Sequence, residues 1–103
     1  MGEGFEALEY AMKKCLRLLV SAEFGPNVLE QFIQKNAKKL GLEGTAQKVG
    51  DNQILISVCG FGDSLDDFMD ILHKGTSSFN MYDLEVEPFL KEKDYRDVFR
   101  IIE

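Results

Sequence analysis

The stretch from Asn27 to Leu40 places Val28, Leu29, Phe32, Ile33, Ala37 and Leu40 on one stripe, with Gln31, Gln34, Lys35, Lys38 and Lys39 opposite. A helix with a single apolar stripe must lay it on something, and the flanking residues say on what. Upstream, Cys15 to Ser21 alternates, with Leu16, Leu18 and Val20 on one side and Cys15, Arg17, Leu19 and Ser21 on the other. That period of two predicts a strand. Downstream, Thr45 to Val49 and Gln53 to Cys59 flank the turn-forming Gly50-Asp51-Asn52. They predict a hairpin with Ile54, Ile56 and Val58 facing the core. The helix ends at Gly41, a suitable C′ residue after two lysines that suit the negative end of the helix dipole.

Beyond the break at Gly60 to Gly62, Ser64-Leu65-Asp66-Asp67 has the form of a capping box and predicts a second helix. Leu65, Phe68, Met69 and Leu72 form its buried stripe, Asp66 and Asp67 charge its positive end, and His73 and Lys74 close it before Gly75. Asp83 to Leu90 alternates around Leu84 and Val86, with Pro88 marking an edge or a strand end, and Val98 to Ile102 offers one more short strand. Residues 1–14, where Phe5, Leu8 and Met12 stand at helical spacing, read as a tail or short helix ahead of a domain spanning residues 15–103. The order strand, helix, strand, strand, helix, strand is satisfied by two helices on one face of an antiparallel sheet. This is an α+β fold of the ferredoxin-like βαββαβ kind.

A chain of 103 residues suits one domain with one core. The net charge of -6 disfavours nucleic acid and anionic membrane as partners, since both recruit clustered Lys and Arg. The acidic start lacks the pattern of a signal peptide, no apolar run is long enough to span a bilayer, and the expected location is cytoplasmic. Two cysteines and His73 do not supply a zinc site, so no metal is expected. In a reducing cytosol, small sheet residues are the default role of Cys15 and Cys59. The topology nevertheless puts them at the same end of neighbouring antiparallel strands with outward parity, near enough to bridge on oxidation.

The sequence Ala37-Lys38-Lys39-Leu40-Gly41-Leu42-Glu43-Gly44 resembles the AxxLGLxG helix end of the acylphosphatase family. Phe68 and Leu72 followed by Gly75 are similar to the family's FxxxLxxGP helix end, with Thr76 in place of proline, and Phe99-Arg100-Ile101 to its closing FxI strand. The resemblance covers roughly residues 15 to 102 and implies an acylphosphatase-like fold and a cofactor-free hydrolase of acyl phosphates. In the family a GxVQGVxFR loop and its terminal arginine bind the acyl phosphate, and an asparagine in a GxVxNxxDG hairpin orients the attacking water. Ungapped carry-over makes that loop Ala22, Glu23, Phe24, Gly25, Pro26, Asn27, Val28, Leu29 and Glu30. Glu30 then stands at the arginine position and Lys48 at the asparagine position.

A strand feeding a helix through a loop is a natural anion site, because free amides and the helix dipole meet there. Glu23, Pro26 and Glu30 work against it: two are acidic, and proline has no N–H to donate. With Asn27 as N-cap, Glu30 falls at N3, where its charge favours the helix end by ~0.3–1 kcal/mol. Lys48 is expected to pair with Glu30 across the pocket. A lysine does not accept and donate at once, so it does not position water as an amide does. The expectation is a domain that has lost hydrolysis and serves as a binding or structural module. A small phosphate-containing molecule is the partner class the resemblance leaves open. The alternative is an acylphosphatase working at reduced efficiency through Lys48 and the loop amides. An RNA-binding sheet of the same topology is disfavoured by the charge and by the lack of a stacking aromatic pair.

Overall fold

The computed structural model describes residues 13–90 and 95–103. The chain folds as β1 (Lys13–Phe24), helix α1 (Leu29–Gln34 continued by Lys35–Lys39), β2 (Glu43–Gly50), β3 (Gln53–Phe61), helix α2 (Gly62–Lys74), β4 (Phe79–Pro88) and β5 (Phe99–Ile102). The strands make one sheet in the order β4-β1-β3-β2-β5. All neighbours are antiparallel except β2 and β5, which run parallel. The ferredoxin-like α+β fold expected from the sequence is therefore present, with β5 added at one edge.

Alternation decides which side of the sheet is buried. Leu18, Val20 and Ala22 on β1, Ala46 on β2 and Ile54, Ile56 and Val58 on β3 are fully buried. They pack against Val28 just ahead of α1, Ile33 and Ala37 of α1, and Leu65, Phe68 and Leu72 of α2. Phe79 from β4 and Phe99 from β5 close the two flanks, and the Phe79 ring lies 4.8 Å from that of Phe32. Among the described residues, the other side of the sheet carries no helix.

The helix-end motif has a mechanical explanation. The Leu42 amide donates to the Ala37 carbonyl at 2.9 Å and the Gly41 amide to the Lys38 carbonyl at 3.0 Å, while Gly41 holds φ at 71°. This is a Schellman closure, in which Ala37 and Leu42 supply the accompanying apolar contact and both are buried. Gly44 follows at φ 141°, where β2 passes so close to β3 that a Cβ would run into the Ser57 carbonyl.

Several boundaries differ from the sequence reading. Helix α2 opens two residues earlier than its capping-box signature, at Gly62, with Phe61 as an extended N-cap and no side-chain cap bond. Ser64 is thus inside the helix, and Asp63 rather than Asp66 or Asp67 is the acidic residue of its first turn. Strand β4 starts at Phe79 rather than Asp83, because Thr76 bridges to Phe79 and the chain turns straight back onto β1. The shift in pairing beyond Ser21, where Ala22 meets Met81, leaves Tyr82 unpaired and breaks the alternation that marks a strand in sequence. β1 begins at Lys13, so two residues assigned to the N-terminal segment belong to the sheet. The rest of that segment lies outside the described residues.

Cys15 and Cys59 stand directly opposite each other on β1 and β3, with Cα atoms 4.1 Å apart, and form a disulfide. The default reading as unlinked sheet residues is corrected. Outward parity and one shared register row bring the two together.

Candidate functional site

The loop that corresponds to the family's anion cradle joins the end of β1 to α1. Its first residue, Ala22, uses its amide on the Asn52 carbonyl in the β2–β3 turn at 2.9 Å. Gly25 donates to the Ser78 carbonyl at 3.0 Å, and Glu23 and Phe24 pair with Asn80 and Phe79 on β4. Pro26 has no amide hydrogen. The Ala22 and Gly25 amides are therefore committed to the sheet and its turns, and with Pro26 they offer no donor to an anion.

Asn27 sits at φ 64°, a conformation asparagine tolerates better than most residues, and its carbonyl accepts the Gln31 amide at 2.9 Å. It does not act as the expected N-cap. The cap position falls on Val28, without a side-chain cap bond, and Val28 is turned into the core. The capping-box role expected for Glu30 is not formed, although Glu30 remains the acidic residue of the first turn, where the dipole favours it. From Leu29 to Gln34 the helix is wound with π geometry, which is uncommon and often found beside functional sites. At its end the Lys35 amide and Asn36 Nδ2 both reach the Phe32 carbonyl, the latter at 2.7 Å, and the chain settles into α-helix. Gln34 Nε2 donates to the Phe99 carbonyl at 2.9 Å and fastens the helix to β5.

Lys48 pairs with Ile54 just before the irregular turn at Gly50, and it shares the parity of buried Ala46. Its side chain rises beside the loop, with Nζ 5.9 Å from the centre of the Phe24 ring. Among the described residues no ion pair joins Lys48 to Glu30, which corrects the expected bridge. Both are exposed and separately solvated, and the lysine leans on an aromatic face instead. Phe24 stands where the family has valine, and that substitution was the available signal for this contact. His73 is exposed at the end of α2, on a different element from the loop and Lys48.

A five-stranded sheet with two helices on one face, a strand-to-helix loop at one end and a hairpin residue beside it define an acylphosphatase-like protein. The acylphosphatase family profile matches residues 29–101, and the chain belongs to that family. Among solved structures it is similar to an acylphosphatase from Bacillus subtilis, at 21% identity and a TM-score of 0.77, covering 89% of this chain and 100% of the other. It is also similar to an acylphosphatase from Coxiella burnetii, at 20% identity and a TM-score of 0.76, covering 87% and 93%. A third likeness is to full-length HypF in its phosphate- and nucleotide-bound form, at 17% identity and a TM-score of 0.73, covering 89% of this chain but 12% of HypF. No curated protein sequence matches the chain.

Proposed function

We propose that this acylphosphatase-family domain has lost acyl phosphate hydrolysis and works as a binding module. The observation that carries the reading is Glu30 at the position of the phosphate-binding arginine, forming no ion pair among the described residues. A carboxylate there repels the substrate phosphate. Loss of one electrostatic donor alone removes ~2.7–4 kcal/mol of transition-state stabilisation. The loop amides tied to Asn52 and Ser78 support the same reading. The alternative of a slow enzyme rests on Lys48, which is held beside the loop. The cytoplasmic setting belongs to the proposal, and there the Cys15–Cys59 bridge would be exposed to reducing conditions.

Phosphate release from benzoyl phosphate at neutral pH tests this directly. No turnover above background is expected. A rate within roughly tenfold of ordinary family members, abolished by Lys48→Ala, overturns the proposal in favour of the slow enzyme.

A repair pair asks how much of the cradle persists. Glu30→Arg alone is expected to lower stability by about 0.3–1 kcal/mol, since it exchanges a favourable charge at the helix start for an unfavourable one. Adding Lys48→Asn removes the second positive charge of the site, and the two changes should be non-additive. The double variant is expected to bind inorganic phosphate measurably more tightly than the parent by calorimetry. Equal affinity would mean that the loop no longer has the geometry of a cradle.

A further inference from the structure

The three arginines of this acidic chain, Arg17, Arg96 and Arg100, all line one cavity on the side of the sheet away from α1 and α2. The cavity measures about 850 Å³, within the range of small-molecule sites. Strand register builds its floor. Arg17 on β1 stands opposite Ser57 on β3, Ser57 opposite Thr45 on β2, and Thr45 opposite Arg100 on β5. One row across the sheet therefore reads cation, hydroxyl, hydroxyl, cation, with its ends about 14 Å apart at ordinary strand spacing. The Arg17 guanidinium turns toward β4, to Glu87 and Phe89; swung inward to meet Arg100, it would place a second planar fork over the two hydroxyls, an arrangement that suits phosphate oxygens.

Apart from Arg96, the rest of the wall is largely apolar. Phe89 leaves β4 and returns to the sheet through a bond from its amide to the Cys15 carbonyl at 3.1 Å, and the Arg17 guanidinium lies 4.7 Å from the centre of its ring. Leu90 is 89% exposed beside it, and Tyr95, Val98 and Ile102 complete that side. An exposed leucine next to an aromatic ring and a cationic row is the make-up of a surface that takes a ligand with one anionic and one planar end. The carboxylate on the row is Glu87, 3.2 Å from Arg17, in an exposed pair that a ligand phosphate can replace at little cost. Arg100 makes no ion pair or hydrogen bond among the described residues.

We infer that this open face is a binding site for a mononucleotide, with the phosphate on Arg17 and Arg100 above Thr45 and Ser57 and the base against Phe89. The inference deepens the binding-module reading by naming a ligand class, and it lies on the opposite side of the sheet from the family's loop. A polynucleotide is the weaker occupant, because the chain's net charge of -6 opposes a long polyanion.

Calorimetry with AMP, inorganic phosphate and a single-stranded oligonucleotide tests it, alongside amide chemical shifts. AMP is expected to bind more tightly than inorganic phosphate and to shift the amides of Thr45, Ser57 and Arg100. Arg100→Gln, at an exposed position that leaves the core alone, should weaken AMP roughly tenfold, as loss of a charge-assisted contact does. Lys48→Asn should leave AMP affinity unchanged. Absence of AMP binding at millimolar concentration, binding indifferent to Arg100→Gln, loss of binding on Lys48→Asn, or binding of the oligonucleotide alone would each overturn the inference. Lys48-dependent hydrolysis of benzoyl phosphate with AMP still held by Arg100 would remove the loss-of-hydrolysis reading and leave the open-face site standing.

Discussion

Replacing Gly44 by alanine is expected to lower the free energy of unfolding by about 3 kcal/mol or more. Two costs add at this position. A non-glycine residue held at φ 141° carries strain of ~1–3 kcal/mol, and the new methyl group meets the Ser57 carbonyl, which is backbone and cannot rotate away. Over-packing of this kind costs ~1–3 kcal/mol more. At 4–8 °C per kcal/mol for a domain of about this size, the melting temperature should fall by more than about 10 °C. Gly41→Ala is the control, because a Cβ there meets nothing within 4 Å and only the left-handed backbone at φ 71° resists it. Its cost should stay near ~1–2 kcal/mol. Urea unfolding followed by circular dichroism measures both. Equal losses at the two glycines would show that β2 and β3 can part to admit a side chain.

Reduction of the Cys15–Cys59 bridge is expected to have an effect of similar size. The cysteines are 44 residues apart, and closing a loop of that length removes enough freedom from the unfolded chain to be worth up to ~4 kcal/mol. A loss of about 2–4 kcal/mol on adding dithiothreitol is anticipated. The Cys15→Ser/Cys59→Ser double variant should lose a similar amount and no longer respond to the reductant. Unfolding curves that coincide with and without reductant would mean the thiols were open from the start, and thiol counting by mass spectrometry would confirm it.

The elements legible in the sequence are those whose residues are buried on one side only. Val28 to Leu40 and Gln53 to Cys59 could be placed because their stripes face a core and their reverse sides face water. The start of β4 was hidden because Tyr82 interrupts its parity where the strand pairing shifts, and the start of α2 because an extended Phe61 leads into it without a capping side chain. Around the loop, motif spacing located Glu30 and Lys48, but local charge rules misjudged their relation. A pair of opposite charges reads as a bridge in sequence, whereas the structure offers Lys48 an aromatic ring and leaves Glu30 in water. Parity alone gives only part of the arginine row. Arg17 and Arg100 both occupy outward positions on their strands, and only the neighbour order of four strands, which parity does not give, brings them into one line.

Strand β4 is ten residues long and forms one border of the sheet, so one side of its backbone has no neighbouring strand among the described residues. Such a border is a template on which another chain can continue the sheet. Here it carries Asp83, Glu85 and Glu87, all exposed, and it ends in Pro88. Two copies meeting border to border would bring these three carboxylates against their own images at strand spacing. Self-repulsion opposes such a meeting, a protection that acts over a distance of about a Debye length and therefore weakens as ionic strength rises.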